Sequence, residues 1–204
     1  PEGRYRFSAD ALLLACYPRQ RDGDRFLELG TGCGAVSLGL LLRGDVSFIY
    51  GLGLDLDPDM VRAAGDNATR LGLGDRFRAE VADVRFVRQC PAVQPEAFDL
   101  VLAKPPYRSR EQGRQPPGEA ESAARTESRA DLEDFLRAAA YGLQNKGLLE
   151  VVFLAERLPL LLRTLAELRL EPKRMRPVQG KPERSASQVL LEARKNGGPG
   201  LTLE

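Results

Sequence analysis

The sequence predicts one α/β domain: a mostly parallel sheet of seven strands, one of them antiparallel, with helices on both faces. Three observations predict it. Short apolar runs alternate with amphipathic segments of helical length along most of the chain. The first run opens directly into three alternate glycines, Gly30, Gly32 and Gly34, as a tight strand-to-helix turn requires. The last two runs are joined by a stretch with no room for a crossover helix, which suits an antiparallel pair.

Each element follows from local pattern. Residues 8–17 read as a helix with Ser8 or Asp10 at its N-cap. Residues 25–29 are a short apolar run bounded by Asp24 and Gly30, hence a buried strand. A strongly apolar helix follows over 35–42, a second strand over 48–54, an amphipathic helix over 59–71 and a third strand over 77–82. A fourth strand over 97–103 ends at Lys104-Pro105-Pro106-Tyr107. An amphipathic helix over 130–143 stops near Asn145 and Gly147, and 147–154 make a fifth strand. A helix over 159–168 precedes two last strands, 170–175 and 188–193, joined by the basic loop 177–187. Residues 196–200 read as a linker or turn. The whole of 1–204 is expected to be one domain, with 1–24 as an N-terminal helical segment. Residues 108–129 are rich in Arg, Gly, Pro, Glu and Ser and nearly free of apolar side chains, so they are expected to form a substrate loop.

Composition narrows the chemistry. With 43% hydrophobic and 29% charged residues, a packed core is expected and disorder is not. Thirty basic against 29 acidic residues leave a net charge of +1, so only local clusters could attract nucleic acid. No run approaches the roughly 20 apolar residues of a membrane span, and the first ten residues lack the apolar core of an export signal. Cys16, Cys33 and Cys90 lack metal-ligand spacing and read as packing residues; an odd count suits a reducing compartment, so a cytoplasmic location is expected. Histidine is absent, which removes imidazole bases and most zinc sites, and no metal is expected. The chemistry must proceed without a proton shuttle near neutral pH. Methyl transfer from a sulfonium is one reaction that does.

The central signal is Glu28-Leu29-Gly30-Thr31-Gly32-Cys33-Gly34. Dinucleotide folds also place glycines here, but spaced G-x-G-x-x-G; Gly34 comes one residue early and position 35 is alanine. Glu28 would oppose a pyrophosphate and suits a ligand with a positive end. S-adenosylmethionine carries an ammonium and a sulfonium and no phosphate. Downstream, Gly53-Leu54-Asp55-Leu56-Asp57-Pro58 offers a carboxylate at the end of the second strand, where it can accept both ribose hydroxyl protons. Alternation favours Asp55 for that position, and Asp57 before Pro58 for the cap of the next helix. Asp83, followed by Val84, stands after the third strand, where an acceptor could take the adenine amino group. Each aspartate alone is an ordinary turn residue; the three signals in order, each after a strand, are not.

Pro105 and Pro106 at the end of the fourth strand make a rigid edge that presents carbonyls. Open α/β sheets place their sites at that end. Glu28–Gly34, Asp55, Asp83 and the Pro-Pro-Tyr strip together resemble the Rossmann-like class I S-adenosylmethionine-dependent methyltransferases that modify amino or amide nitrogens. More narrowly, residues 5–15, Gly113-Arg114, Ala124-Arg125-Thr126-Glu127 and the closing 200–204 resemble the bacterial tRNA (valine) adenine-N6 methyltransferases. The resemblance implies S-adenosylmethionine as cofactor, S-adenosylhomocysteine as product and tRNA as partner. It implies Glu28, Gly30, Thr31, Gly32, Gly34, Asp55, Leu56, Asp83 and Val84 around the cofactor, and Lys104, Pro105, Pro106 and Tyr107 at the reacting amine. Tyr107, Arg108, Arg114 and Arg125 would meet the substrate, with the aromatic ring stacked on a base swung out of its helix.

Lys104 stands where that family carries Asn or Asp, and an ammonium offers donors but no acceptor. Three readings stay open: turnover through the Pro105 carbonyl alone, cofactor binding without turnover, or a different substrate. The alternatives in function are a protein glutamine-amide methyltransferase and a cofactor-binding RNA-binding module. Basic residues gather after the fourth strand and on the final hairpin, at Lys173, Arg174, Arg176, Lys181 and Arg184. Both groups are expected to rim the substrate edge.

Overall fold

The computed structural model describes residues 9–19, 23–43, 50–107 and 130–204. Its sheet has eight strands in the order β3-β2-β1-β4-β5-β7-β6-β8: β1 Arg25–Leu29, β2 Tyr50–Asp55, β3 Phe77–Val81, β4 Phe98–Ala103, β5 Leu143–Leu154, β6 Leu170–Val178, β7 Gln188–Lys195 and β8 Thr202–Leu203. Strands β3 to β5 are parallel, and β7 alone runs antiparallel, to both β5 and β6. The eighth strand corrects the expectation of seven. Thr202 and Leu203 pair with Arg174 and Met175, a bridge of two residues that no sequence periodicity can announce.

Alternation along the strands builds two cores. Leu27, Leu29, Val101, Val151, Phe153 and Leu191 face α4 (Leu132–Gly142) and α5 (Leu158–Glu167). Phe26, Leu100, Leu102, Val152 and Leu190 face α1 (Ala9–Cys16), α2 (Ala35–Leu42) and α3 (Pro58–Arg70). Helix α3 starts on Asp57, whose side chain accepts from the Asp59 N–H at 2.9 Å, with Pro58 in its first turn. Helix α4 starts on a capping box in which Asp131 and Asp134 bond each other's backbone N–H.

The carboxyl ends of β1, β2, β3 and β4 carry Gly30, Asp55, Asp83 and Lys104, so the predicted groups share one edge of the sheet. Strand β6 runs three residues further than expected, to Val178, which moves part of the predicted basic rim. Lys173, Arg174 and Arg176 lie in that strand, and Arg174 is buried against Glu192; only Lys181 and Arg184 remain exposed on the hairpin loop. Among the described residues no helix is long and apolar enough to cross a membrane.

Candidate active site

The turn after β1 is built from left-handed backbone. Gly30, Gly32 and Gly34 have φ of 73°, 54° and 84°, a region that costs other residues roughly 1–2 kcal/mol. The Gly30 and Thr31 N–H groups both donate to the Leu54 carbonyl at 2.8 Å, which pins the turn to the end of β2. A methyl group on Gly32 would meet nothing within 4 Å, so open space lies over the turn there.

Glu28 supports this turn from beneath. It is 3% exposed, and its Oε2 accepts from the Thr31 hydroxyl at 2.8 Å, the Ser37 N–H at 3.1 Å and the Ser37 hydroxyl. Burial pushes its carboxyl up to about 7 even though those donors pull the other way. Asp55 is half-buried at the tip of β2. Its Oδ2 accepts from the Gly32 N–H and its Oδ1 from the Asp57 N–H, at 2.8 and 2.9 Å. Two backbone donors thus fix the carboxylate at the open face of the turn. Leu56 beside it is 51% exposed, whereas Val84 is buried in the core.

Asp83 follows β3 and is engaged within its own turn. Its side chain caps the 3₁₀ turn Val84–Gln89, and both oxygens accept from the Arg85 guanidinium, at 2.5 to 3.0 Å. Those bonds hold its carboxyl below the usual range despite partial burial. An adenine amine would have to share an acceptor already taken by Arg85.

At the end of β4, Pro105 is buried and Lys104, Pro106 and Tyr107 are half-buried. The Tyr107 ring packs edge-on against Phe153, with centroids 6.2 Å apart, and the Lys104 Nζ lies 5.9 Å from its centroid. The Tyr107 hydroxyl donates to Asp10 Oδ2 at 2.5 Å and accepts from Gln188 Nε2 at 3.0 Å; Arg157 donates to its carbonyl at 2.9 Å. The tyrosine ring is therefore held in a fixed position. Arg108, Arg114 and Arg125 lie outside the described residues, as do residues 5–8 and Gly113.

Sequence reasoning missed three supports. Ser37 reaches Glu28 from the first turn of α2. Asn67 on α3 donates to the Cys33 carbonyl at 3.0 Å. Phe135 on α4 packs so near Gly30 that a methyl there would lie 3.2 Å from its ring. Only Ser37 carried a signal, as a polar residue inside an apolar helix.

Comparisons with known proteins set the chain beside methyltransferases. The family described as "RMKL-like, methyltransferase domain" matches residues 43–117. The tRNA1(Val) (adenine(37)-N6)-methyltransferase of Mannheimia succiniciproducens is 30% identical over 148 residues, 72% of this chain and 58% of that protein. The chain thus spans little more than half of that relative's length. The release factor glutamine methyltransferase of Rhodospirillum rubrum is 41% identical over 85 residues, 42% of this chain and 24% of that protein. In fold, a crystal structure of a predicted O-methyltransferase from Agrobacterium tumefaciens superposes with a TM-score of 0.72 at 18% identity, covering 95% of this chain and 84% of that one.

Proposed function

We propose that the chain is a class I S-adenosylmethionine-dependent methyltransferase, as its likeness to the methyltransferase family model and to the Mannheimia relative supports, and that it transfers a methyl group to the N6 amine of an adenosine in tRNA. The observation that carries the reading is the Asp55 carboxylate, fixed by the Gly32 N–H over a turn of positive-φ glycines. The residues fit S-adenosylmethionine. Asp55 would accept from the ribose hydroxyls, the exposed face of Leu56 would cover the adenine, and the open space over Gly32 leaves room for the chain to its amino acid end. Glu28 acts through the turn: it fixes Thr31 and the start of α2. When bound, the cofactor supplies an electrophilic methyl group on a cationic sulfur.

The protein's part at the acceptor is positioning. An adenine amine is a weak nucleophile because its lone pair is delocalised into the ring, and a carbonyl accepting one N–H favours its rehybridisation. The Pro105 carbonyl is that acceptor, held at the strip by Pro106 and by the anchored Tyr107. Lys104 contributes no acceptor and makes the strip slower than an asparagine would. The tRNA assignment is supported by the relative aligned over 72% of the chain. The release-factor relative, more similar over a shorter stretch, supports a glutamine amide as the second reading. In the tRNA reading the protein works in the cytoplasm.

The test is transfer of tritium from methyl-labelled S-adenosylmethionine to bulk tRNA and, in parallel, to a glutamine-containing release-factor peptide. Label on tRNA, lost with Asp55→Ala, is expected. Label on the peptide alone would replace the tRNA reading with the second one. No label on either, with cofactor binding intact, would overturn both. Lys104→Asn is expected to raise the rate by about a hundredfold, the usual worth of one well-placed polar group at a reacting centre.

A further inference from the structure

At the amino end of the parallel strands, opposite the crevice, lies a cavity of about 340 Å³. It falls near the lower end of the roughly 300–1,000 Å³ typical of small-ligand sites. Four basic side chains line it, Arg19, Lys146, Arg174 and Arg194. Three acids line it as well, and they are engaged. Asp99 accepts from the Arg25 N–H and from Gln144, Glu192 accepts from Arg174 at 3.1 Å, and Asp24 is not free. Arg174 is itself committed, facing Glu150, Glu192 and Glu204 at 3.8, 3.1 and 3.7 Å. Arg19 pairs with Glu204.

Two cations remain without a carboxylate. Lys146 Nζ donates to the carbonyl of Asn196, a neutral group. Arg194 has less: its Nε is buried with no hydrogen-bond partner, and among the described residues no acid lies in ion-pair reach of its guanidinium. A guanidinium keeps its charge at any physiological pH, so burying part of it unpaired is unfavourable unless a ligand completes it. Its planar fork matches the two-oxygen edge of a phosphate, and an ammonium alongside adds a point charge.

We propose that this cavity is an anion site in which Arg194 and Lys146 bind a phosphate group. It shares no residue with the crevice and stands independently of the methyl-transfer reading. The phosphate belongs either to a small phosphorylated molecule or to an RNA backbone reaching the far end of the sheet.

Thermal unfolding and calorimetry at matched ionic strength, with inorganic phosphate against chloride, test it in wild type, Arg194→Gln and Lys146→Gln. Wild type should show saturable stabilisation by phosphate, and each variant should bind it roughly tenfold more weakly or worse, as expected for losing a charged hydrogen bond. In chloride alone Arg194→Gln should melt no lower than wild type, because the lost charge had no partner. A short single-stranded RNA separates the sources. If its affinity falls in the variants and phosphate competes with it, the backbone is the ligand; if its affinity is unchanged while phosphate binding is lost, a small molecule is. Phosphate binding that is absent in wild type, or equal in wild type and both variants, would overturn the proposal.

Discussion

Glu28 occupies a position where a carboxylate and its surroundings pull in opposite directions. Burial favours the proton, and the Thr31 and Ser37 donors favour the charge; burial wins, leaving the group near 7 against 4.5 in an unfolded chain. A raised carboxyl contributes its stability in full below the unfolded value, near pH 4.5, and loses it as pH climbs through about 7. The span corresponds to about 3 kcal/mol. All three donors reach one oxygen, so Glu28→Gln can keep them with its amide oxygen. Urea unfolding at pH 5 and pH 8 should therefore show a shallower decline in stability for the variant. An unchanged slope would mean that Glu28 titrates alike in both states. The residue itself was legible in the sequence, as an acid two positions before the first glycine. Its hydroxyl partners were not, because Ser37 meets it only after α2 has turned.

At the scale of elements, the strip after β4 is held from outside its own strand. Tyr107 joins α1 through Asp10, β7 through Gln188 and the segment after β5 through Arg157. Tyr107→Phe removes the hydroxyl that Asp10 and Gln188 share and should lower stability by about 1–3 kcal/mol. Reduced protection of α1 amides in hydrogen exchange should accompany it; unchanged protection would show that the helix does not depend on this bond. Strand β2 pairs with β1 through a parallel backbone ladder and packs tightly against its side chains. A methyl on Gly51 would lie 2.1 Å from the Phe26 ring, an impossible approach. Gly51→Ala should thus cost about 1–3 kcal/mol or more through displacement of a fully buried ring, read as a lower Tm. A Tm equal to that of wild type would show that the two strands part more easily than their packing implies. The sequence marked Gly51 and Gly53 as strand glycines without saying what presses on them.

Across the whole molecule, the antiparallel half of the sheet carries a row of charges that joins both ends of the described chain. Glu150, Glu192 and Arg174 are register neighbours on β5, β7 and β6. Arg174 also donates to the Tyr17 carbonyl at 3.1 Å and lies 4.4 Å from the Tyr17 ring centroid, and it faces Glu204. One guanidinium thus serves three carboxylates. Glu150 fares worst: it is fully buried, neither oxygen has a hydrogen-bond partner, and burial beside Glu192 drives its carboxyl well above the usual range. Glu150→Gln should raise stability at pH 8 by about 1 kcal/mol or more and have less effect at pH 5, because a raised carboxyl costs the folded state more as pH climbs above the ordinary carboxylate range. A lower urea midpoint at pH 8 would mean instead that the charge is needed to hold Arg174.

From the sequence alone one reads the order of the first seven strands and of the helices, the glycine turn, the carboxylate at the end of β2 and the proline strip, but not the two-residue β8. All of the features so read are written in local patterns whose period or turn chemistry leaves one reading. The sequence also separated Asp55 from Asp57, since alternation along a strand distinguishes its tip from the cap of the next helix. Tertiary structure decided what lies between distant segments. It tied Asp83 to Arg85, anchored Tyr107 to Asp10, buried Arg174 between acids and left Arg194 beside a cavity without one. Which charges meet depends on strands brought together from far along the chain, and no local pattern encodes that proximity.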